Sequence, residues 1–376
     1  MNILIAPNAF KNSLDAQRVA EAIAVGLKQS NPDCNCTLFP VGDGGDGTGS
    51  LLTRHLGGTF VPTTVHDPLG RKISSGFGLA DNGQTAIIEM ADACGIRLLK
   101  TSELNPMKAN SKGAGELIKK ALDKGVKKII IGMGGSATVD GGMGILSTLG
   151  VTFFSANGTL LDPLPEKLVG LATIDKTGLD KRIANCDIII LCDVDNQLLG
   201  DNGAAAVFGP QKGASVTDID MLDGMLFNFA MIALRQAGKD IATIKYSGTA
   251  GGAAAGLHAF LNAKLVSGAD TFLTLTNFNA ALQAADVVIT GEGSIDEQTL
   301  QGKAPAVVAA RAKAKGVKVI GLAGKVPVIP SLALTQYFDV LRSINKEPME
   351  LSVALDNTFH NLVDTAREIG NSLGLS

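Results

Sequence analysis

The sequence predicts an α/β fold, in which a parallel sheet covered by helices on both faces carries a second α/β domain inserted into it. Three observations lead there. Short apolar runs alternate with stretches of helical spacing, the pattern of strands buried on both faces. The 45 Gly gather in short loops directly after those runs. Two regions, 59–90 and about 151–270, break the rhythm and so mark the second domain.

Taken in order, NILIA (2–6) reads as the first buried strand. Val19, Ile23 and Leu27 recur at helical spacing and predict a helix near 15–29. A second strand near 36–41 runs into VGDGGDGT and another helix. The same order returns at 111–150, with strand VKKIII (126–131), a glycine loop and a helix. It returns again at 286–322, from strand DVVIT through a glycine loop and helix to strand VKVIGLA. Over 59–90, turn signals at 67–70 and 81–83 separate successive strands suited to antiparallel pairing. The region 151–270 is richer in Gly and Asp, and its periodicity assigns elements less sharply. At the end, 350–373 predicts one amphipathic helix with Val353, Leu355, Phe359, Leu362, Ala366 and Ile369 on its buried side. The resulting partition gives 1–58, 95–150 and 266–376 to the first domain, and 59–94 and 151–265 to the insertion.

Composition excludes several classes. At 376 residues the chain is too long for one ordinary core, and 45% hydrophobic against 18% charged residues makes it globular. A net charge of −3 without long basic runs, no Trp and two Tyr argue against nucleic acid as a partner. The five Cys form neither a disulfide framework nor a zinc pattern, so reduced thiols in a cytoplasmic setting are expected. The start MNILIAPNAFK has no basic segment or cleavage site, and the longest apolar stretches, 186–192 and 225–234, fall short of a membrane span. No targeting and no membrane partner are expected.

Ligands of open parallel sheets bind beyond the carboxyl ends of the strands, so the loops after strands are where chemistry is sought. APNAFKNS (6–13) holds Lys11, either a cation for phosphate or carboxylate oxygens or a solvated surface lysine. VGDGGDGT (41–48) sets Asp43 and Asp46 among glycines before a helix; each is either a chemical group or a turn and cap residue. GMGGSATVDGG (132–142) can wrap a phosphate with the backbone N–H groups around Gly134, Gly135 and Ser136, the following helix dipole favouring its charge. Gly132, Gly134 and Ala137 also fit a loose dinucleotide pattern, but the next strand, VTFF (151–154), ends at Ser155 rather than at an acidic residue. No GxxxxGK[ST] run exists. LCDVDNQLLGDNGAAAVFGPQKGA (191–214) places Asp193 and Asp195 two apart, so both carboxylates can face one cavity. That pair suits Mg²⁺ or a base for a phosphoryl acceptor, with a structural turn as the alternative. TGEGSIDEQTLQGKAP (290–305) holds Glu292, Asp296 and Lys303, which suit phosphate binding or a salt-bridged turn.

The blocks MNILIAPNAFKNSL, GDGGDGT, HDPLGR, GMGGSATVDGG, CDVDN…GAAAVFGPQKGA and VITGEGSIDEQTLQGKAP resemble the signature blocks of the bacterial type I glycerate kinase family. They stand in the family's order from residue 2 to about 325. The resemblance implies ATP- and Mg²⁺-dependent phosphorylation of D-glycerate, the 2-hydroxyl favoured over the 3-hydroxyl. It also implies a Rossmann-like first domain. On that reading Asp193, Asp195 and Lys11 are catalytic, with Asp193 and Asp195 holding Mg²⁺. Arg71, Asp43 and Asp46 bind glycerate. Gly134, Gly135, Ser136, Glu292, Asp296 and Lys303 bind ATP through its phosphates. A homodimer is compatible with the chain. Four positions depart from the family's usual residues: Asn8 and Ala9 in APNAFK where it reads APDSFK, Asp46 where it reads DGGEGT, and Ser294 where it reads GEGRID. Two rival readings are a nicotinamide-dependent hydroxy-acid dehydrogenase and a non-catalytic sugar-acid sensor. Hydride transfer marks the first; the absence of glycerate-dependent ATP turnover marks the second.

Overall fold

The computed structural model describes residues 1–347 and 349–373. Its strands, in chain order, are β1 (Asn2–Ile5), β2 (Asn35–Leu38), β3 (Thr59–His66), β4 (Lys72–Ala80), β5 (Thr85–Glu89), β6 (Lys128–Gly132) and β7 (Thr152–Ser155). They continue with β8 (Leu160–Leu161), β9 (Leu171–Asp175), β10 (Asp187–Cys192), β11 (Lys264–Ser267), β12 (Val287–Ser294), β13 (Lys318–Lys325) and β14 (Val340–Ser343). The chain divides into two compact units: Met1–Asp43 with the chain from Ala269 onward, and Gly44–Gly268.

The first unit is a five-stranded sheet in the order β14-β13-β12-β1-β2, every pairing parallel. Counted within the unit this is the order 2-1-3-4-5, a doubly wound α/β sheet. The helix Ala16–Ser30, capped by Asp15 through Arg18 N (2.8 Å), buries Val19, Ile23 and Leu27 on Ile3 and Ile5. Leu362, Ala366 and Ile369 of the helix Thr358–Leu373 complete that core. The single C-terminal helix expected over 350–373 is instead two, Leu351–Asp356 and Thr358–Leu373, broken at Asn357. Val353, expected inside, is exposed because it lies before the break.

The second unit holds a six-stranded sheet, β11-β10-β6-β5-β4-β3, and a three-stranded antiparallel sheet, β8-β7-β9. β5, β6, β10 and β11 are parallel, whereas β3 and β4 add as an antiparallel edge through the two turns expected at 67–70 and 81–83. The partition expected from the sequence is corrected here. It placed 95–150 in the first domain, but β6 pairs with β5 on one side (Ile130 with Ile87) and β10 on the other (Ile130 with Ile189). Residues 44–58 move with them, since the helix Thr48–His55 packs on β4 and β5. The insertion is therefore one continuous segment. Among the described residues no helix is long and apolar enough to cross a membrane.

Candidate active site

In the first unit the strand order reverses between β1 and β12, and the loops leaving their carboxyl ends carry a polar cluster. The backbone N–H of Asn8 donates to Gly291 O at 2.8 Å. Its Oδ1 accepts from Ala9 N (2.8 Å), which fixes the amide so that Nδ2 donates to Asp43 Oδ2 at 2.8 Å. Asn8 and Asp43 are both buried. Glu292, also buried, accepts from Thr299 Oγ1 at 3.1 Å and stands 3.9 Å from Lys303 Nζ. Burial pushes its carboxyl up to about 7; Lys303 and Lys11 pull it back, while the charge of Asp43 adds to the rise. Lys11 is exposed in the turn bridged by Phe10 and Leu14. Asp296 takes the structural alternative. It caps the short 3₁₀ helix Glu297–Gln301, with Oδ1 accepting from Gln298 N at 2.9 Å.

In the second unit the loops after β5, β6 and β10 leave one edge of the parallel sheet. Gly134 N donates to Gly44 O at 2.9 Å. A Cβ on Gly134 would stand 2.5 Å from Gly45 Cα and 2.8 Å from Asp193 Oδ2. Three of the sequence's loops thus meet where only glycine fits. Against them lies Lys212, 3% exposed, whose Nζ donates to Ser136 Oγ (3.0 Å) and Thr138 O (2.7 Å). Burial pulls its ammonium down to about 8, while the Asp140 and Asp193 carboxylates hold it up. Thr138 Oγ1 is buried without a partner among the described residues.

Several expected roles change with these neighbours. The helix after the glycine loop, Met143–Thr148, does not offer an open N-terminus. Buried Asp140 accepts from Gly142 N (3.0 Å), Gly144 N (3.1 Å), Ser111 N (2.8 Å) and Ser111 Oγ (2.7 Å), so a carboxylate already occupies that dipole end. Burial nevertheless pushes the Asp140 carboxyl above the usual range. Asp193 and Asp195, expected to face one cavity, have different surroundings. Asp193 is half-buried beside Gly134, whereas Asp195 is exposed with Oδ2 4.0 Å from Lys245 Nζ. Asp46 is not a cap, because Gly47 (φ +91°) precedes the helix Thr48–His55; it pairs with Arg97 Nη1 at 3.1 Å. Glu89, at the end of β5, accepts from Gly49 N in that helix's first turn at 2.7 Å.

Arg71 is held by two carboxylates, Nε on Asp67 Oδ2 at 2.6 Å and Nη1 on Glu103 Oε1 at 2.7 Å. Asp67 also accepts from Arg71 N at 2.9 Å, closing the β3–β4 turn. Arg71→Ala is therefore expected to lower Tm and leave turnover and both substrate KM values unchanged, as paired thermal and kinetic assays will show. A rise confined to the acceptor's KM would return Arg71 to the substrate-binding role expected from sequence.

Glu89 carries a pH signature. Burial raises its carboxyl to about 7, and Asp92 adds to the rise. A raised folded-state pKa means a contribution to stability that is full below the unfolded value and lost as pH climbs through about 7. Glu89→Gln keeps the acceptor for Gly49 N without the charge. Its Tm is expected to match the parent's near pH 4, then exceed it progressively to pH 7 and hold that lead above. Parallel Tm curves across that window would show that Glu89 ionises at the same pH folded and unfolded, so that burial does not shift it.

Sequence reasoning gave no role to Lys212, Glu89 or Asp140. Glu89 had a signal, a carboxylate ending the buried run TAIIE. Lys212 had one too, a lysine alone among the small residues of GPQKGA.

Buried charges and tight glycine loops at the carboxyl ends of parallel strands define an α/β enzyme that handles small anions. The dinucleotide alternative loses its scaffold, since β7, the strand that should follow the glycine loop, lies in the separate three-stranded sheet. The glycerate kinase family model matches residues 3–374, and the chain belongs to that family. It is 41% identical over its whole length to a glycerate kinase of Bacillus subtilis (strain 168), of which it covers 98%. It is 40% identical to a glycerate 2-kinase of Escherichia coli (strain K12), covering all of this chain and 98% of the relative. A crystal structure of a candidate glycerate kinase 2 from Salmonella typhimurium LT2 superposes with a TM-score of 0.83 at 40% identity, covering 100% of this chain and 98% of that one.

Proposed function

We propose that this member of the family transfers the γ-phosphoryl group of ATP to the 2-hydroxyl of D-glycerate, with Mg²⁺, in the cytoplasm. The match over the whole chain to glycerate kinases supports the activity most directly. In the transfer, the acceptor hydroxyl oxygen forms a bond to the γ-phosphorus while the bond to the β–γ bridging oxygen breaks. ADP leaves, and the hydroxyl proton passes to a carboxylate.

Each unit by itself carries residues suited to phosphate oxygens. In the second, the ammonium of Lys212 meets the anionic oxygens of the transferring phosphoryl group, held in place by Ser136 Oγ and Thr138 O. Asp193, at the end of β10 beside the gap that a Cβ on Gly134 would fill, receives the hydroxyl proton or aims the hydroxyl. Mg²⁺ needs only one or two carboxylates besides substrate phosphates, so Asp193 suffices to hold it, and the charge it supplies offsets that of the phosphates. A cage made wholly of protein is absent: among the described residues no group of three or more His, Cys, Asp or Glu could hold a metal. In the first unit, Lys11 and Lys303 flank Glu292 and give positive charge for nucleotide phosphates, while Asn8 fixes Asp43. The thiols of Cys34, Cys36, Cys94, Cys186 and Cys192 are all free, which suits a reducing compartment.

The test is ADP release from ATP in the presence of D-glycerate, coupled to enolase with no mutase added. A signal establishes transfer to the 2-hydroxyl. ADP release that reaches enolase only after mutase addition moves the acceptor to the 3-hydroxyl. No glycerate-dependent release at all ends the kinase reading.

A further inference from the structure

The helix Val216–Ala237 is largely apolar on its outward side as well as its inward one. Leu222, Met225, Leu226, Phe229, Ala230, Ile232 and Ala233 point into the core. Yet the opposite side carries Met221, Phe227, Met231 and Leu234, all exposed, with Phe227 at 55%. Met231 and Leu234 follow Phe227 by four and seven residues and Met221 precedes it by six, so the four share the outward side over about 20 Å of helix. An amphipathic helix against a core puts charges there, and a contiguous apolar stripe marks a surface that something covers. Val207, on the short helix Ala204–Phe208 packed against it, is exposed too.

We propose that the stripe is the interface of a homodimer in which two copies of this helix pack antiparallel about a two-fold axis passing between Phe227 and Asn228. That arrangement sets the apolar stripe on itself with opposite charges paired. Met221 of one copy meets Leu234 of the other. Met231 meets Gly224, where a Cβ would have nothing within 4 Å and the helix surface is notched. At the flanks Asp220 meets Arg235, both exposed. A parallel pair would instead set Asp220 against Asp220 and Arg235 against Arg235, which is repulsive. An isologous contact of this kind closes on itself and stops at two copies. The stripe is small beside the roughly 800 Å² per partner of a standard interface, so the dimer dissociates on dilution. A membrane surface fits poorly. Asp218, Asp220 and Asp223 accompany the stripe, whereas interfacial helices carry Lys and Arg.

Sedimentation velocity of the full chain over a dilution series tests this. Dimers at high concentration that dissociate on dilution are expected. Phe227→Glu should weaken them by at least about tenfold, the effect of removing a central aromatic anchor. Gly224→Leu, which fills the notch and favours the helix, should also weaken them and covers the case in which Phe227→Glu fails to fold. Both variants should keep the parent's turnover. Asp220→Arg or Arg235→Asp alone should weaken the dimer, and the two together should restore it. A monomer at every concentration overturns the proposal. So does a dimer indifferent to Phe227→Glu and Gly224→Leu, or a charge swap that restores nothing. Binding of a monomeric parent chain to anionic phosphatidylserine vesicles would assign the stripe to a membrane instead.

Discussion

Lys212→Met is expected to lower kcat by about 10²–10³, the loss seen when one preorganised donor to a developing charge is removed. Met keeps the length and apolar stem of the side chain and removes only the ammonium. The position is 3% exposed, so water cannot replace the missing charge. The substitution also leaves Thr138 O and Ser136 Oγ without the donor they have now, and some loss of Tm accompanies it. Two further readouts separate chemistry from structure. If Lys212 meets the phosphoryl group, kcat falls far more than KM for ATP or glycerate rises, since the interaction strengthens in the transition state. The pH profile carries the second. Burial brings the Lys212 pKa down to about 8, so on this role the parent enzyme is expected to lose activity as pH rises through that value and the ammonium is neutralised. In Lys212→Met that limb should disappear. A variant with lower Tm, near-normal kcat at its stable temperature and an intact alkaline limb would make Lys212 a structural lysine.

The sequence made the parallel strands legible because their environment is local in its demands. Ile129, Ile130 and Ile131, or Ile188 to Leu191, are buried on both faces and must be apolar without interruption. Their helices and glycine loops followed for the same reason. Sheet membership was not legible, since nothing within 95–150 states that Ile130 will pair with both Ile87 and Ile189. The same distinction runs through the candidate site. Loops at strand ends could be listed from the chain alone, because parallel topology puts them on one edge. The partner of each side chain could not. Arg71 read as a cation for substrate until Glu103, 32 residues on, supplied its second carboxylate. The glycine loop read as a helix-dipole anion site until Asp140, bonded to Ser111 across 29 residues, proved to fill that helix end. Lys212 was overlooked for the converse reason. Its burial, the property that makes it notable, depends on packing against Ser136 and Thr138 and leaves no mark in GPQKGA itself.

The same reasoning divides the two aspartates that the chain presents as a pair. Asp193→Asn is expected to reduce kcat by at least about 10², the low end for loss of a general base, and to raise the Mg²⁺ concentration needed for half-maximal rate. Asp195→Asn should stay within about fivefold of the parent, because a surface ion pair is worth only about 0–1 kcal/mol. The contrast follows from position. Asp193 leaves the end of β10 directly, its Oδ2 lying against the Gly134 loop and its charge reaching Lys212. Asp195, two residues further on, has left the sheet, with its side chain 47% exposed and Lys245 Nζ 4.0 Å from its Oδ2. Rates measured for both variants across a Mg²⁺ titration decide the matter. Equal losses would mean that the two carboxylates do share one ion, as their spacing suggests, and that loop 193–196 rearranges when substrate binds. Loss at neither would move the base to Asp43, whose Oδ2 is already aimed by the Asn8 amide. Asp43→Asn would then become the variant that abolishes turnover, while Asp296, engaged as a helix cap, would remain replaceable by Asn at little cost.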